Sequence, residues 1–206
     1  MSNRYLKFIE KISFTGDLRK DIESFFTYHN ESSTYQHTIS VENEAVRIAN
    51  LFGVNGEFAS QAAYLHDISN VIPKSEMMGI AESSSMEILE DEYRYPRIIH
   101  QKLSRDMAAN IFNCTNVAVL RAIECHTTLK AGASQLDKVL FVADKISWDL
   151  PGENAYQDEM RKQIALLDLN AAVLIYLNHV WEQRDKLKLV HPWLIAAREE
   201  LLLSQV

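Results

Sequence analysis

The residues of this chain whose types and spacing suggest chemistry are histidine and aspartate. His66 and Asp67 are adjacent and close a mostly apolar run, Phe58-Ala59-Ser60-Gln61-Ala62-Ala63-Tyr64-Leu65. A helix that apolar belongs inside a bundle, so the pair is expected to sit deep. An unpaired carboxylate there is costly, and a metal ion is a suitable partner. His37 lies upstream, and His100, His126 and Asp144 lie downstream, each at a helical position. Imidazole together with carboxylate suits a borderline divalent ion such as iron, manganese, cobalt or zinc; four thiolates would indicate structural zinc instead. Only the central pair is close in sequence, so spacing does not define the site. Separate helices would have to bring their ligands to a common interior point. Taken singly, His37 also reads as a helix-start histidine on a core edge. Asp144 also reads as a core aspartate satisfied by backbone groups or an arginine.

The elements that must position these residues follow from periodicity and punctuation. Asp17 is expected to cap a helix through Tyr28, with Ile22, Phe25 and Phe26 on its apolar side. His29 to Ser33 reads as a loop. A helix from His37 to about Phe52 carries Val41, Ala45 and Ile48 on one stripe with His37 and ends at Gly53. The next runs from about Gly56 to Asp67, with Phe58, Ala62 and Leu65 as its buried line. Pro73 breaks the chain, and Lys74 to Asp91 reads as a weaker helix or pair of helices. Pro96 marks the start of a helix to Phe112, with Ile99, Leu103 and Met107 inward. Asn116 or Thr115 caps the helix that His126 closes. Ser134 and Asp137 resemble a capping box for a helix on which Leu136, Leu140 and Asp144 share a face. Pro151-Gly152-Glu153-Asn154 reads as a loop, residues 155–187 as helical, and His191-Pro192-Trp193 as the start of the last helix. His179 and His191 read as packing or capping residues.

The expected architecture is a single all-α bundle of about eight to ten helices, with residues 1–34 as a helical lead segment and 35–206 as the main domain. The net charge of −7 argues against a general nucleic-acid binder. An acidic protein that binds phosphates must concentrate positive charge locally, and bound cations do so. Cys114 and Cys125 form no CxxC, which fits a reducing, cytoplasmic setting. The first residues form no apolar signal core, and no run approaches the ~18 apolar residues of a membrane span.

The pattern His37, His66-Asp67, His100, His126, Asp144 resembles the HD-domain metal-dependent phosphohydrolases, and within them the YqeK family. The specific stretches are Tyr35-Gln36-His37-Thr38, Ala63-Tyr64-Leu65-His66-Asp67-Ile68, Ile98-Ile99-His100, His126-Thr127-Thr128 and Val142-Ala143-Asp144-Lys145-Ile146. The downstream His191-Pro192 and Ala196-Ala197-Arg198 are similar too. The resemblance covers roughly residues 35–200 and implies an HD-domain helical bundle. It implies symmetrical hydrolysis of diadenosine tetraphosphate to two ADP at a two-metal centre, with iron favoured. By the same resemblance His37, His66, Asp67 and Asp144 would hold one ion, His100 and His126 the second, and Asp67 would bridge. Asp67, His100 and His126 would then be the catalytic residues. Thr127, Thr128, Lys130, Lys102 and Arg105 would hold phosphate oxygens. A small nucleotide is the expected partner, with no nucleic-acid polymer and no membrane, and with room for a homodimer.

The chain departs from the family at several positions. The lysine that follows His-Asp is absent from Ile68-Ser69-Asn70, and the first lysine downstream is Lys74. The family's His-Gly-Pro becomes His100-Gln101-Lys102, and its His-Thr-Thr-Gly-Arg becomes His126-Thr127-Thr128-Leu129-Lys130. Its Glu-Pro-x-Arg becomes Ser147-Trp148-Asp149-Leu150. Gln101, Leu129, Lys130 and residues 147–150 are therefore expected at the rim of the site. There they would give a substrate preference different from, or broader than, diadenosine tetraphosphate. Two other readings are a nucleotide-binding regulatory protein with little turnover, and an HD phosphohydrolase for nucleoside monophosphates.

Overall fold

The computed structural model describes residues 3–148 and 154–204. Among these are eleven α-helices, four short 3-10 turns and no strand. The helices are α1 (Leu18–Tyr28), α2 (Ser32–Leu51), α3 (Gly56–Leu65), α4 (Lys74–Ser83), α5 (Glu90–Arg94), α6 (His100–Asn110), α7 (Val117–Cys125), α8 (Gln135–Ile146), α9 (Ala155–Ala165), α10 (Leu169–Glu182) and α11 (Pro192–Leu203). The 3-10 turns are Asn3–Phe8, Ile68–Val71, Pro96–Ile99 and Arg184–Lys186. Asp149, Leu150 and the loop at Pro151-Gly152-Glu153 lie outside the described residues.

Local chemistry sets most helix starts. Asp17 accepts from the Lys20 backbone N–H at 3.3 Å, and Asn116 accepts from Ala118 and Val119. At α8 the Asp137 N–H donates to Ser134 Oγ at 3.2 Å while the Ser134 N–H donates to Asp137 Oδ2 at 2.8 Å. His191 Nδ1 accepts from the Trp193 N–H at 3.1 Å and so caps α11. Each such cap contributes about 1 kcal/mol. Gly53, with φ +66°, supplies the left-handed residue just beyond α2.

The centre of the bundle is α8, which packs against α2, α3, α7, α9 and α10. Every residue from Val139 to Ile146 is buried, Asp144 and Lys145 among them. Around it, α2 packs extensively against α3, and Ala45 and Ala49 of α2 and Ala59 and Ala62 of α3 are small, fully buried side chains. Tyr5, Phe8, Ile22, Phe25 and Phe26 from the lead segment join the same core. The Tyr5 hydroxyl donates to Asp106 Oδ2 of α6 at 2.7 Å.

Three sequence expectations change. Helix α2 begins at Ser32 rather than near His37, so residues 34 and 35 both fall inside it. The Thr34 hydroxyl donates to Glu31 at 2.9 Å, and Tyr35 packs 6.5 Å from Phe26, which organises this extra turn. Phe58 is 36% exposed, because the buried face of α3 runs through Ala59, Ala62, Ala63 and Leu65. Residues 155–187 are not one helix. Leu166 and Leu167 are exposed, Leu167 takes φ +60°, and the Asp168 carboxylate starts α10 by accepting from the Ala171 N–H at 2.8 Å.

Candidate metal centre

The six predicted ligands sit at or near helix ends. His66 is the C-cap of α3, with Asp67 next to it, and His126 is the C-cap of α7. His100 opens α6 directly after the turn Pro96–Ile99. Asp144 lies in the last turn of α8, and His37 in the second turn of α2. Three of the four rings are tied to a backbone carbonyl three residues earlier. His66 Nδ1 donates to Ala63 O at 2.6 Å, His100 Nδ1 to Arg97 O at 2.8 Å and His126 Nδ1 to Ile123 O at 2.9 Å. A carbonyl only accepts, so each Nδ1 carries the proton and each Nε2 is left with a lone pair. That tautomer is the one a metal ligand needs.

Those Nε2 atoms converge on the two carboxylates. His37 Nε2 is 3.0 Å from Asp144 Oδ1, and His66 Nε2 is 3.7 Å from both Asp144 Oδ1 and Asp67 Oδ2. On the other side, His100 Nε2 and His126 Nε2 lie 3.4 and 3.5 Å from Asp67 Oδ1, and 3.2 Å from each other. Asp67 thus presents one oxygen to His66 and the other to His100 and His126. Two groups have ligand atoms within 4.8 Å of one another: His37, His66 and Asp67, and Asp67, His100 and His126. His66 Nε2 and Asp67 Oδ1 are buried and have no hydrogen-bond partner. Orphaned buried polar atoms are rare and need an explanation. Two nitrogens 3.2 Å apart, both with lone pairs, repel unless a cation lies near them. The donor set therefore fits divalent metal. The C-terminal ends of α3, α7 and α8 also point here, and the negative ends of their dipoles favour a cation.

The titration behaviour agrees. Burial lowers both His66 and His100 to about 4, so these rings are neutral and able to ligate at neutral pH. Burial alone would raise Asp67, but facing His66, with His126 and His100, outweighs it and holds the carboxyl low. Burial likewise opposes ionisation of Asp144, and Lys145 with His37 overcomes it. Burial is the largest single influence on His37 and pushes it down, but the hydrogen bond to Asp144 together with the charges of Asp144 and Asp67 leaves it raised.

Lys145 was not anticipated as part of the site. It is fully buried beside Asp144 Oδ2 at 2.5 Å, with its ammonium 4.9 Å from the Trp148 ring centroid, 5.3 Å from Phe141 and 5.4 Å from Tyr176. The sequence signal was a lysine within an otherwise buried helical run. Trp148 Nε1 also donates to Asp144 Oδ1 at 3.2 Å. A cavity of about 460 Å³ opens onto the cluster, and its wall includes Asn70, Tyr95, Arg97, Thr127, Trp148 and Tyr176.

The expected phosphate-holding residues divide. Thr127 lines the cavity, its hydroxyl 3.1 Å from His100 Nε2. Thr128 is buried, and its hydroxyl donates to Leu129 O at 2.9 Å. Lys102 is not at the cavity; it is buried with Nζ 2.8 Å from Glu92 Oε2 and 2.8 Å from Glu87 O. Lys130 pairs with Glu124 at 2.7 Å, and together with Arg105 it lines a separate surface recess. Glu92 and Glu124 hold Lys102 and Lys130, and Arg105 faces the separate recess instead of the cavity. Among the described residues, Arg97 is the cationic side chain on the cavity wall.

Two of the altered positions are also not at the rim. Gln101 is fully buried, and its Oε1 accepts from the Thr127 N–H at 3.2 Å and the Thr128 N–H at 3.3 Å. It clamps the turn that follows His126. Leu129 is buried and takes φ +56°, and its N–H donates to Cys125 O at 2.7 Å. A leucine there holds the left-handed turn that glycine adopts more readily, at a cost of about 1–2 kcal/mol against which its burial works.

The HD domain family profile matches residues 34–149 of this chain. A symmetrical bis(5'-nucleosyl)-tetraphosphatase of Halalkalibacterium halodurans is 30% identical over 182 residues, covering 86% of this chain and 93% of that protein. A protein of the same name from Bacillus subtilis is 32% identical over 142 residues, covering 68% of this chain and 73% of that one. A crystal structure from Clostridium acetobutylicum, described as a predicted HD superfamily hydrolase involved in NAD metabolism, superposes with a TM-score of 0.82 at 28% identity. It covers 90% of this chain and 97% of its own. With its helical bundle, its converging histidines and aspartates and these similarities, the chain belongs to the HD domain family.

Proposed function

We propose that this protein is a metal-dependent phosphohydrolase that cleaves a dinucleoside polyphosphate of the diadenosine tetraphosphate type into two nucleoside diphosphates. The observation that carries the reading is the buried cluster of imidazole Nε2 atoms around an Asp67 whose two oxygens face opposite groups of histidines. His37, His66, Asp67 and Asp144 would hold one divalent ion, His100 and His126 the other, and Asp67 would be shared. Iron is favoured, with manganese, cobalt or zinc as substitutes. The ions, when bound, supply charge for phosphate oxygens and activate a water.

The chain's own groups account for the rest. Arg97 offers a guanidinium to the polyphosphate, and the Thr127 hydroxyl offers a hydrogen bond beside His100. Lys145 acts through Asp144 as a positioning residue, since it is buried away from the cavity wall. The names of the two tetraphosphatase relatives support the substrate class. So does the placement of Gln101 and Leu129, which shape the backbone beneath the site instead of facing a substrate.

The test is an anaerobic assay of the protein loaded with Fe²⁺ or Mn²⁺ against diadenosine tetraphosphate, ATP, ADP and AMP. ADP formed in a two-to-one ratio to substrate consumed is the expected result. A metal-loaded protein that cleaves AMP alone would move the reading to a nucleotidase. One that binds nucleotides and cleaves none would move it to a regulatory protein.

A further inference from the structure

Next to the metal cavity lies a second one, of about 520 Å³, built mainly by α9 and α10. The two share Trp148, Tyr176 and Leu187 as a common wall. Tyr176, His179 and Val180 of α10, with Gln183 just past its end, recur at three- and four-residue spacing and all line this annex. That face of the helix is thus turned to a hollow, although its composition would suit a core. Tyr156 of α9 stacks on His179 with ring centroids 4.3 Å apart and planes 29° from parallel. Tyr176 stands 5.6 Å from Tyr156, closer to edge-on. All four of these aromatic or imidazole walls, Trp148 included, are only partly buried. At the far edge, the Gln183 amide nitrogen lies 2.8 Å from His179 Nε2. A primary amide carries both a donor and an acceptor, which gives this edge hydrogen-bonding capacity of both kinds.

Flat π-surfaces, an apolar wall of Val180 and Leu187, and an amide at the edge are what a nucleobase requires. A phosphate would find no cation here, since among the described residues no lysine or arginine lines the annex. The shared wall is tied to the metal ligands, because Trp148 Nε1 donates to Asp144 at 3.2 Å. Lys145, the ion-pair partner of Asp144, lies against both the Trp148 and Tyr176 rings. A base seated in the annex therefore registers directly on the ligand cluster.

We propose that the annex is the nucleobase subsite for one half of the substrate, with Tyr156 and His179 as specificity-determining residues. This rests on the phosphohydrolase reading and adds the location of the base. The polyphosphate then leaves the annex past Trp148, crosses the metal cluster and runs toward Arg97. A substrate with aromatic bases gains affinity from the annex, and a bare polyphosphate gains none.

The experiment is calorimetric binding of ADP and of inorganic pyrophosphate to the full chain loaded with Mn²⁺. ADP is expected to bind more tightly than pyrophosphate. Tyr156→Ala and His179→Ala are each expected to reduce that preference about ten-fold, equivalent to about 1.4 kcal/mol. Tyr156→Phe keeps the ring and is expected to keep the preference, which separates stacking from a general loss of structure. If Tyr156→Ala fails to fold, His179→Ala carries the test alone. An ADP preference unchanged in the alanine variants, or absent from the wild type, would overturn the proposal. A wild type that prefers ADP but cleaves no phosphoanhydride would sink the hydrolase reading and leave the base site standing. Active hydrolysis with no base preference does the reverse.

Discussion

Lys145→Met keeps the length and apolar stem of the side chain and deletes its charge. In the protein the ammonium lies 2.5 Å from Asp144 Oδ2, and both side chains are almost completely buried. Removing one partner of a buried ion pair costs roughly 3–5 kcal/mol, because the other charge is left uncompensated. Asp144 would retain His37 at 3.0 Å and the Trp148 indole at 3.2 Å. The lower end, about 3 kcal/mol, is therefore expected. For a chain of this size that corresponds to a fall in Tm of about 6–12 °C. The assay is thermal unfolding of wild type and variant in EDTA and again with Mn²⁺. A metal ion on Asp144 takes over the neutralisation, so the gap between the two proteins is expected to shrink to less than half. Equal melting temperatures in EDTA would refute the ion-pair argument. A gap that Mn²⁺ leaves untouched would refute the link between Lys145 and the metal ligand.

Asp67→Ala is expected to abolish binding of both ions and Asp144→Ala to weaken mainly one, measured as metal-to-protein ratios; equal losses would argue against a shared carboxylate. Lys102→Met is expected to lower stability by roughly 3 kcal/mol in urea titrations, the lower end for a broken buried pair because Glu92 keeps His191 at 3.1 Å and the Leu89 N–H at 2.7 Å, while leaving KM close to wild type. Arg97→Ala is expected to raise KM for the polyphosphate, and the opposite split between these two variants would contradict the placement of both cations. The metal-free protein is expected to lose stability as pH falls from about 6.5 toward 4. In that window the unfolded chain protonates His66 and His100 while the folded chain, with both at about 4, does not. His37 is raised, so its contribution is present below the ordinary histidine value and fades only at higher pH. The Asp67 and Asp144 contributions persist until pH falls below the ordinary carboxylate value. Urea midpoints in EDTA that stay flat between pH 6.5 and 4.5 would show that these rings are not held neutral.

Helix content and most helix starts were legible because they are local. Asp17, Asn116, Ser134 with Asp137, and His191 act on N–H groups two or three residues away. That these histidines and aspartates would gather at one interior point was an expectation from their residue types and from the family resemblance; their distances span α2, α3, α6, α7 and α8 and are not set by local sequence. Where a long polar side chain points was not legible. Lys102 and Lys130 follow ligand histidines, yet Glu92 and Glu124 draw them elsewhere. Gln101 looked like a rim residue and is a buried clamp, because its hydrogen-bond partners at Thr127 and Thr128 come from a different element. Phe58 looked buried by periodicity. The buried face of α3 instead runs through Ala59, Ala62, Ala63 and Leu65, which leaves Phe58 part-exposed. Lys145 gave a charge in an apolar run, but the cage around it is completed from a distance: Phe141 and Trp148 lie on or just past its own helix, whereas Tyr176 comes from α10.

The carbonyl tethers on His66, His100 and His126 bear on how fast the centre fills. A ring held by its own backbone cannot swing to meet an ion, nor swing away to release one. Its rotational freedom is already surrendered when the helices dock, before any cation arrives. Uptake at such a centre would then involve dehydrating the ion and little rearrangement of the chain. His37 is held differently among the described residues: it leans on Asp144 at 3.0 Å and is partly open to solvent. It is thus the ring with freedom to move, and the door through which an ion enters or leaves is expected to be on its side of the cluster.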